Sequence, residues 1–380
     1  MRSFVEVTTE DVRQYPLVMQ SPKNMTLTLG DLHGHSMKLV YLLIRLGIMN
    51  ISEKAYQDLW RIYETPCAEL TMNDLGQFET ILKHADIEQP GLLILIGDEL
   101  ADRGHNDFFT LLILARLHEE KVCYRIMMSN HGAIALTCLE LNFVKLFVSI
   151  DQQMSLLNLF DLIQRLPELQ EKISSWIDGA YIEHLAVLGY SITPQGFFIY
   201  SHAPIDMATL GGLSLFFEVP DSALRGIERI IHDIDAINMK ATEWIKNKEF
   251  YSKMLHPSYQ VPYSEQRFNK QQTHPFYDLL WNRYPVRPVH AFSKLIYVVH
   301  GHVGEGIDYG PCYINTDSHW CKSPTDEVGE CRLCCVPTTK KDMTHRFYQE
   351  ASASTNMNRV SPDNVSVDLE EEQAIKRPRP

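Results

Sequence analysis

Short apolar runs punctuate the chain, and small or polar residues close each of them. The runs are MTLTL at 25–29, LLILI at 92–96, VCYRIMM at 122–128, FFIY at 197–200, LIYVV at 295–299 and CYI at 312–314. Apolar runs of this length without polar alternation predict strands covered on both faces. Helical periodicity fills the gaps between them. It predicts one helix over 37–46 capped by Ser36 and another over 108–117 capped by Asn106. Strands that alternate with helices indicate an α/β fold. The segments at about 50–90 and 138–190 are also helical in pattern. In the second, Leu156, Leu157, Leu159, Phe160, Leu162 and Ile163 are too dense for a loop and predict helices packed on a core. Both segments are read as insertions that cap the fold. A catalytic domain is expected over 20–338, followed by a polar tail at 339–380 expected to be disordered.

Charge narrows the picture. Lys plus Arg number 35 and Asp plus Glu 48 in 380 residues, a formal net charge of −13. Such a chain lacks the basic face that a nucleic-acid backbone needs, so no nucleic-acid partner is expected. An anionic substrate would need a locally cationic pocket. No apolar stretch approaches the 18 or so residues of a membrane helix, and none is expected to span one. No leader is visible at the start, which predicts a cytoplasmic protein with reduced thiols. Of the eight cysteines, Cys312, Cys321, Cys331, Cys334 and Cys335 crowd late in the sequence. Cys331 and Cys334 form a CxxC, with Cys321, Cys335 and His319 nearby. Either a zinc knuckle or a set of free thiols fits that spacing.

The chemistry lies where the strands end. The first run is followed by Gly30-Asp31-Leu32-His33-Gly34, the second by Gly97-Asp98 and then Asp102-Arg103-Gly104. Ser129-Asn130-His131-Gly132 follows the third, Ser201-His202 the fourth and His300-Gly301-His302 the fifth. In α/β sheets the ligand crevice lies beyond the carboxyl ends of the strands, so five strands deliver Asp, His and Asn to one place. Carboxylate, imidazole and amide ligands suit Mn²⁺, Fe or Zn²⁺. Three carboxylates and several histidines exceed the needs of one ion, and two ions sharing a carboxylate would use them all.

The blocks GDLHG (30–34), GDELADRG (97–104), SNHG (129–132), SHA (201–203) and HGH (300–302) resemble, in order, those of the phosphoprotein phosphatase family of calcineurin-like metallophosphoesterases. LLWNR at 279–283 resembles the family's block with a second phosphate-binding arginine, and INTD at 314–317 the strand after its last histidine. The resemblance covers roughly residues 25–320. It implies a β-sandwich flanked by helices, with the helical segments as insertions. It implies that Asp31 and His33 bind a first metal, that Asp98 bridges two, and that Asn130, His202 and His302 complete the second. His131 would be the general acid, oriented by Asp102, and Arg103 and Arg283 would hold the phosphate. The implied reaction is hydrolysis of phosphoserine and phosphothreonine monoesters on a phosphorylated protein by a hydroxide bridging two divalent ions, Mn²⁺ first. Phosphotyrosine, native metal and oligomeric state stay open.

The departures from the pattern are specific. GDELADRG has three residues between Asp98 and Asp102 where the family has two, so the extra residue must bulge. The third block has Ser129 for Gly and Gly132 for Glu. The distance from Asp31 to Asp98 is longer than usual, which marks a divergent member. Two alternatives follow. A diadenosine tetraphosphate hydrolase or other small-molecule phosphohydrolase would need stacking aromatics such as Trp281, Tyr284, Tyr309 or Trp320. A catalytically degenerate phosphate-binding module would tolerate the altered blocks. At the end of the tail, Glu370, Glu371 and Glu372 resemble the acidic cluster in export signals of effectors that bacterial pathogens inject into host cells. Delivery of that kind stands beside a solvated acidic tail as a reading.

Overall fold

The computed structural model describes residues 4–19, 24–141, 153–255, 275–283, 296–304, 310–323 and 326–337. Six strands form one sheet in the order β1 (Val5–Asp11), β12 (Val328–Pro337), β2 (Met25–Leu29), β5 (Leu92–Leu95), β6 (Tyr124–Met127) and β7 (Leu185–Ala186). The strands β2, β5, β6 and β7 run parallel, whereas β12 lies antiparallel between β1 and β2. A second sheet has the order β11 (Tyr313–Asn315), β10 (Ile296–His300), β9 (Gly196–Tyr200) and β8 (Gly189–Thr193), parallel except at β8. The short pair β3 (Met49–Asn50) and β4 (Asp86–Ile87) stands apart from both. The fold is mixed α/β.

Right-handed crossovers between parallel strands require connecting helices. Here α1 (Ser36–Arg45) links β2 onward and α4 (Asp107–Glu119) links β5 to β6. Side chains alternate along a strand, so Leu27, Leu29, Leu93 and Leu95 share one face. They join a core cluster with Leu43 of α1 and Phe109 and Ile113 of α4. On the opposite face lie Thr26, Thr28 and Ile94, all buried. Tyr200 of β9 lies beside Thr26 and Cys334 there, so the two sheets meet.

Asn106 caps α4 as its sequence predicts, accepting from the Phe108 amide. At α1 the cap is His35, not Ser36. The His35 Nδ1 accepts from the Lys38 amide, and Ser36 begins the helix. Ser36 Oγ instead meets Thr110 Oγ1 at 2.7 Å, which ties α1 to α4.

The segment at 50–90 is largely helical, with α2 (Glu53–Tyr63) and α3 (Met72–Lys83). Thr71 and Asp74 form a reciprocal capping box at the start of α3. Within 138–190 lie the end of α5 (Asn130–Glu140), α6 (Met154–Arg165) and α7 (Gln170–Trp176). A π-helical turn, Ile177–Tyr181, follows and packs on α4. Two further helices, α8 (Met207–Phe216) and α9 (Gly226–Lys246), follow β9. No helix of the described residues is long and apolar enough to cross a membrane.

The N-terminal strand β1, which precedes the expected domain start, is the sheet's edge strand, paired along its length with β12. The cysteine-rich segment is β12 itself. Residues three apart on a strand face opposite ways, so Cys331 and Cys334 do not close on one ion. None of the eight cysteines is in a disulfide, and no group of metal-ligating side chains among the described residues includes one. The tail at 339–380 lies outside the described residues.

Candidate active site

The carboxyl ends of the parallel strands in both sheets converge. Asp31 and His33 follow β2, Asp98 follows β5, and Asn130 and His131 open α5 just after β6. His202 follows β9 and His302 follows β10. All seven, and Asp102, are at most 5% exposed. Ser129 caps α5 by accepting from the Gly132 amide, which fixes the turn that presents Asn130 and His131.

The backbone is strained where these groups sit. His33, Asp98, Ala101 and His302 all have φ between 54 and 67°, the left-handed region that non-glycine residues avoid. Each costs of order 1–3 kcal/mol, and such residues persist where the surroundings over-determine them, commonly at functional sites. At Gly301 there is no room for a side chain, since a Cβ would lie 1.9 Å from Asp31 Oδ1. That close approach lets the His302 amide donate to Asp31 Oδ2 at 2.9 Å and locks the two sheets together at the site.

Three groups of ligand atoms gather within 4.8 Å of one another: Asp31, His33 and Asp98; Asp98, His202 and His302; and Asp98, Asp102 and His131. Asp98 belongs to all three. His202 Nε2 lies 2.7 Å from Asn130 Oδ1, 3.1 Å from His302 Nδ1 and 3.5 Å from Asp98 Oδ1. His33 Nδ1 lies 3.4 Å from Asp102 Oδ2. Lys38, itself buried, donates to the carbonyls of Asp31 and Trp320 and so ties the first block to the loop after β11.

These residues fit a cation. Asp31 Oδ1 and Asp98 Oδ1 are buried without a hydrogen-bond partner among the described residues, and His33 Nδ1 and Asp102 Oδ2 have only each other, at 3.4 Å. Buried ionic atoms left so are costly unless a counter-charge reaches them. Burial pushes the Asp31 carboxyl well above the usual carboxylate range, and the charges of Asp317 and Asp98 push it the same way. Burial also lowers His302, as do His202 and Arg283. Neutral imidazoles beside crowded carboxylates are the state in which such groups ligate metal.

His131 is placed differently from its sequence-based expectation. Its Nδ1 lies 2.6 Å from the Ala101 carbonyl oxygen, and Asp102 Oδ1 faces Nε2 at 3.6 Å. Ala101 belongs to the lengthened second block, and Asp107 Oδ2 accepts from its amide at 2.9 Å. Asp102 pairs with Arg103 at 2.8 Å and takes the Ser155 hydroxyl oxygen as the acceptor of its amide. Burial lowers the His131 pKa, but Asp102 and then Asp98 outweigh it, and the net direction is up. Arg103 is half-buried. Arg283 is exposed, and its guanidinium Nε donates to His302 Nε2 at 3.1 Å. Trp320 is buried in the core and Trp281 packs edge-on to His302. Tyr284 and Tyr309 lie outside the described residues.

Two residues of the site escaped notice in the sequence. Asp317 is buried, its Oδ1 lies 3.6 Å from His33 Nε2, and its Oδ2 accepts from the Gly304 amide. Only its place in the INTD run hinted at it. Glu99, beside the shared Asp98, is fully buried against Tyr181. A carboxylate flanked by Asp98 and Leu100 gave no separate signal.

A family described as the WipA-like phosphatase domain matches residues 92–322, more than half of the chain, from Asp98 through His302. The solved phosphatase domain of the Legionella effector WipB is similar in fold, with a TM-score of 0.59 and 25% sequence identity. The match covers 75% of this chain and 100% of that one. No curated protein matches the chain.

Proposed function

Since the chain belongs to the WipA-like phosphatase-domain family, and so is a phosphoric monoester hydrolase, we propose that it is a metal-dependent phosphoprotein phosphatase of the calcineurin-like kind. Its preferred substrates in this reading are phosphoserine and phosphothreonine in proteins. The observation that carries it is Asp98, shared between the group with Asp31 and His33 and the group with His202 and His302. One carboxylate common to two ligand sets is the design of a two-ion site. Asp31, His33 and Asp98 would hold one cation, and Asp98, Asn130, His202 and His302 the other, with Mn²⁺ the first candidate and Fe or Zn²⁺ next. Bound there, divalent cations would supply positive charge against the ester oxygens and acidify a coordinated water.

The chain's own groups would do the rest. Arg103 and Arg283 present planar forks that can each bond two phosphate oxygens. His131, its Nδ1–H held by the Ala101 carbonyl, would present Nε2, which lies 3.6 Å from Asp102 Oδ1, to the leaving-group oxygen. Its raised pKa favours the protonated form that a general acid needs. Delivery into a host cell as an effector is part of the proposal, by analogy with WipB, a Legionella effector.

The test uses two leaving groups. A serine alkoxide must be protonated as it departs, whereas p-nitrophenolate leaves unaided. His131→Asn should cut turnover of a phosphoserine peptide about a hundred-fold or more and that of p-nitrophenyl phosphate far less, with Mn²⁺ retained. Equal losses on both substrates would remove His131 from the acid role.

A further inference from the structure

The helical segment at 138–190 does more than cover the fold. Its π-helical turn Ile177–Tyr181 sends Tyr181, 0% exposed, to the back of the site. Tyr181 Oη donates to Glu99 Oε1 at 2.6 Å. Glu99 is the residue after Asp98, and its other oxygen is buried without a partner among the described residues. The turn is anchored from the sheet side, since the Tyr124 hydroxyl of β6 donates to the Ala180 carbonyl. π-turns are rare and concentrate at functional sites, because they swing a side chain out of the regular helical register.

Gly132 completes the arrangement. A Cβ at this position would lie 2.9 Å from Tyr181 Oη, 3.1 Å from Ser129 Oγ and 3.5 Å from Glu99 Oε1. The space a Gly132 side chain would take is therefore occupied by the Tyr181–Glu99 pair. That pair abuts the first turn of α5, the turn that presents Asn130 and His131.

We propose that Tyr181 and Glu99 are positioning residues that brace the Ser129–Gly132 turn from behind, and that Gly132 is glycine because this brace fills its side-chain space. The proposal rests on the phosphatase reading above and deepens it: an inserted helix sets the placement of the proton-donating histidine. Neither residue touches the reacting atoms.

The experiment compares Tyr181→Phe, Glu99→Ala, Gly132→Ala and their pairs in the full chain, with bound Mn²⁺, thermal midpoint, kcat and KM read for each. Tyr181→Phe should lower kcat on a phosphoserine peptide about five- to ten-fold, change KM less than two-fold and change p-nitrophenyl phosphate turnover less than two-fold. Adding Tyr181→Phe to Glu99→Ala should cost nothing further, because contacting residues couple in a double-mutant cycle. Gly132→Ala should be strongly impaired alone and partly rescued by Tyr181→Phe, which removes the closest clashing atom. A purely structural role would lower the thermal midpoint and scale both substrates equally, and that result would overturn the proposal. So would a Tyr181→Phe enzyme with wild-type kcat on the peptide, or Gly132→Ala unrelieved by Tyr181→Phe. Absence of metal-dependent peptide turnover in the wild type would instead defeat the phosphatase reading itself.

Discussion

His131 sits between opposing pulls. Burial favours its neutral form, while Asp102 and Asp98 favour the cation and prevail. The same coupling acts on Asp102. Burial would raise it, but His131, His33 and Arg103 hold it well below the usual carboxylate range. If His131 donates the proton, turnover must fall as pH rises through its pKa. Asp102→Asn removes the largest influence raising that pKa, so the alkaline limb should move to lower pH. The measurement is kcat against pH on a phosphoserine peptide at saturating Mn²⁺. An alkaline limb that stays in place would show that Asp102 does not tune His131. The residues delivered directly by strand ends, Asp31, Asp98, His202 and His302 among them, were legible because a strand end and a polar block are both local signals. Ala101 was not. Its carbonyl reaches His131 from a residue with a positive φ, and composition carries no trace of a backbone oxygen's aim. Asp317, Glu99 and Tyr181 likewise gain their places from tertiary contact across long stretches of chain.

The strands with continuous apolar runs, β2, β5, β6, β9 and β10, stand close to where the hydrophobic pattern puts them, because both their faces are covered. The edge of the first sheet was hidden for the opposite reason. The sequence of β1, VEVTTED, alternates polar residues on a half-solvated edge, and the cysteines of β12 drew attention to metal rather than to strand. Helix α9 starts at Gly226 with no side-chain cap, so its boundary carries no local signal. The edge strand is held by charge as well as by its ladder. Arg45, nearly buried at the end of α1, meets Glu10 at 3.0 Å and Glu6 at 3.1 Å, and the Tyr41 hydroxyl also donates to Glu10. Removing Glu10 leaves Arg45 with only the more exposed Glu6 and strips the Tyr41 hydroxyl of its acceptor, at a cost of about 1–3 kcal/mol. Glu10→Ala should therefore lower unfolding stability by about that much in urea or thermal melts. The kcat of the folded enzyme should be unchanged, since no site residue lies on β1. Loss of Mn²⁺ in this variant would show that the edge strand supports the site directly.

Across the whole molecule, the charge balance sets what the site needs in order to take a phosphate ester. A chain of net charge −13 repels a phosphate ester, and its site gathers Asp31, Asp98, Asp102 and Asp317 in one buried space. Arg103, Arg283 and a protonated His131 do not by themselves reverse that field. Cations at the ligand groups would do so, and Asp98 is the residue through which both groups would lose them. The decisive measurement is bound Mn²⁺ per chain together with phosphoserine-peptide turnover, on protein stripped by chelator and then titrated with Mn²⁺, for the wild type and Asp98→Asn. The account predicts that stripping abolishes wild-type turnover and that two Mn²⁺ per chain restore it. It predicts that Asp98→Asn, still folded by its thermal melt, binds Mn²⁺ weakly at both positions and turns over at least about a hundred-fold more slowly. Full turnover in excess chelator, or an Asp98→Asn protein that keeps two Mn²⁺ and its rate, would contradict it.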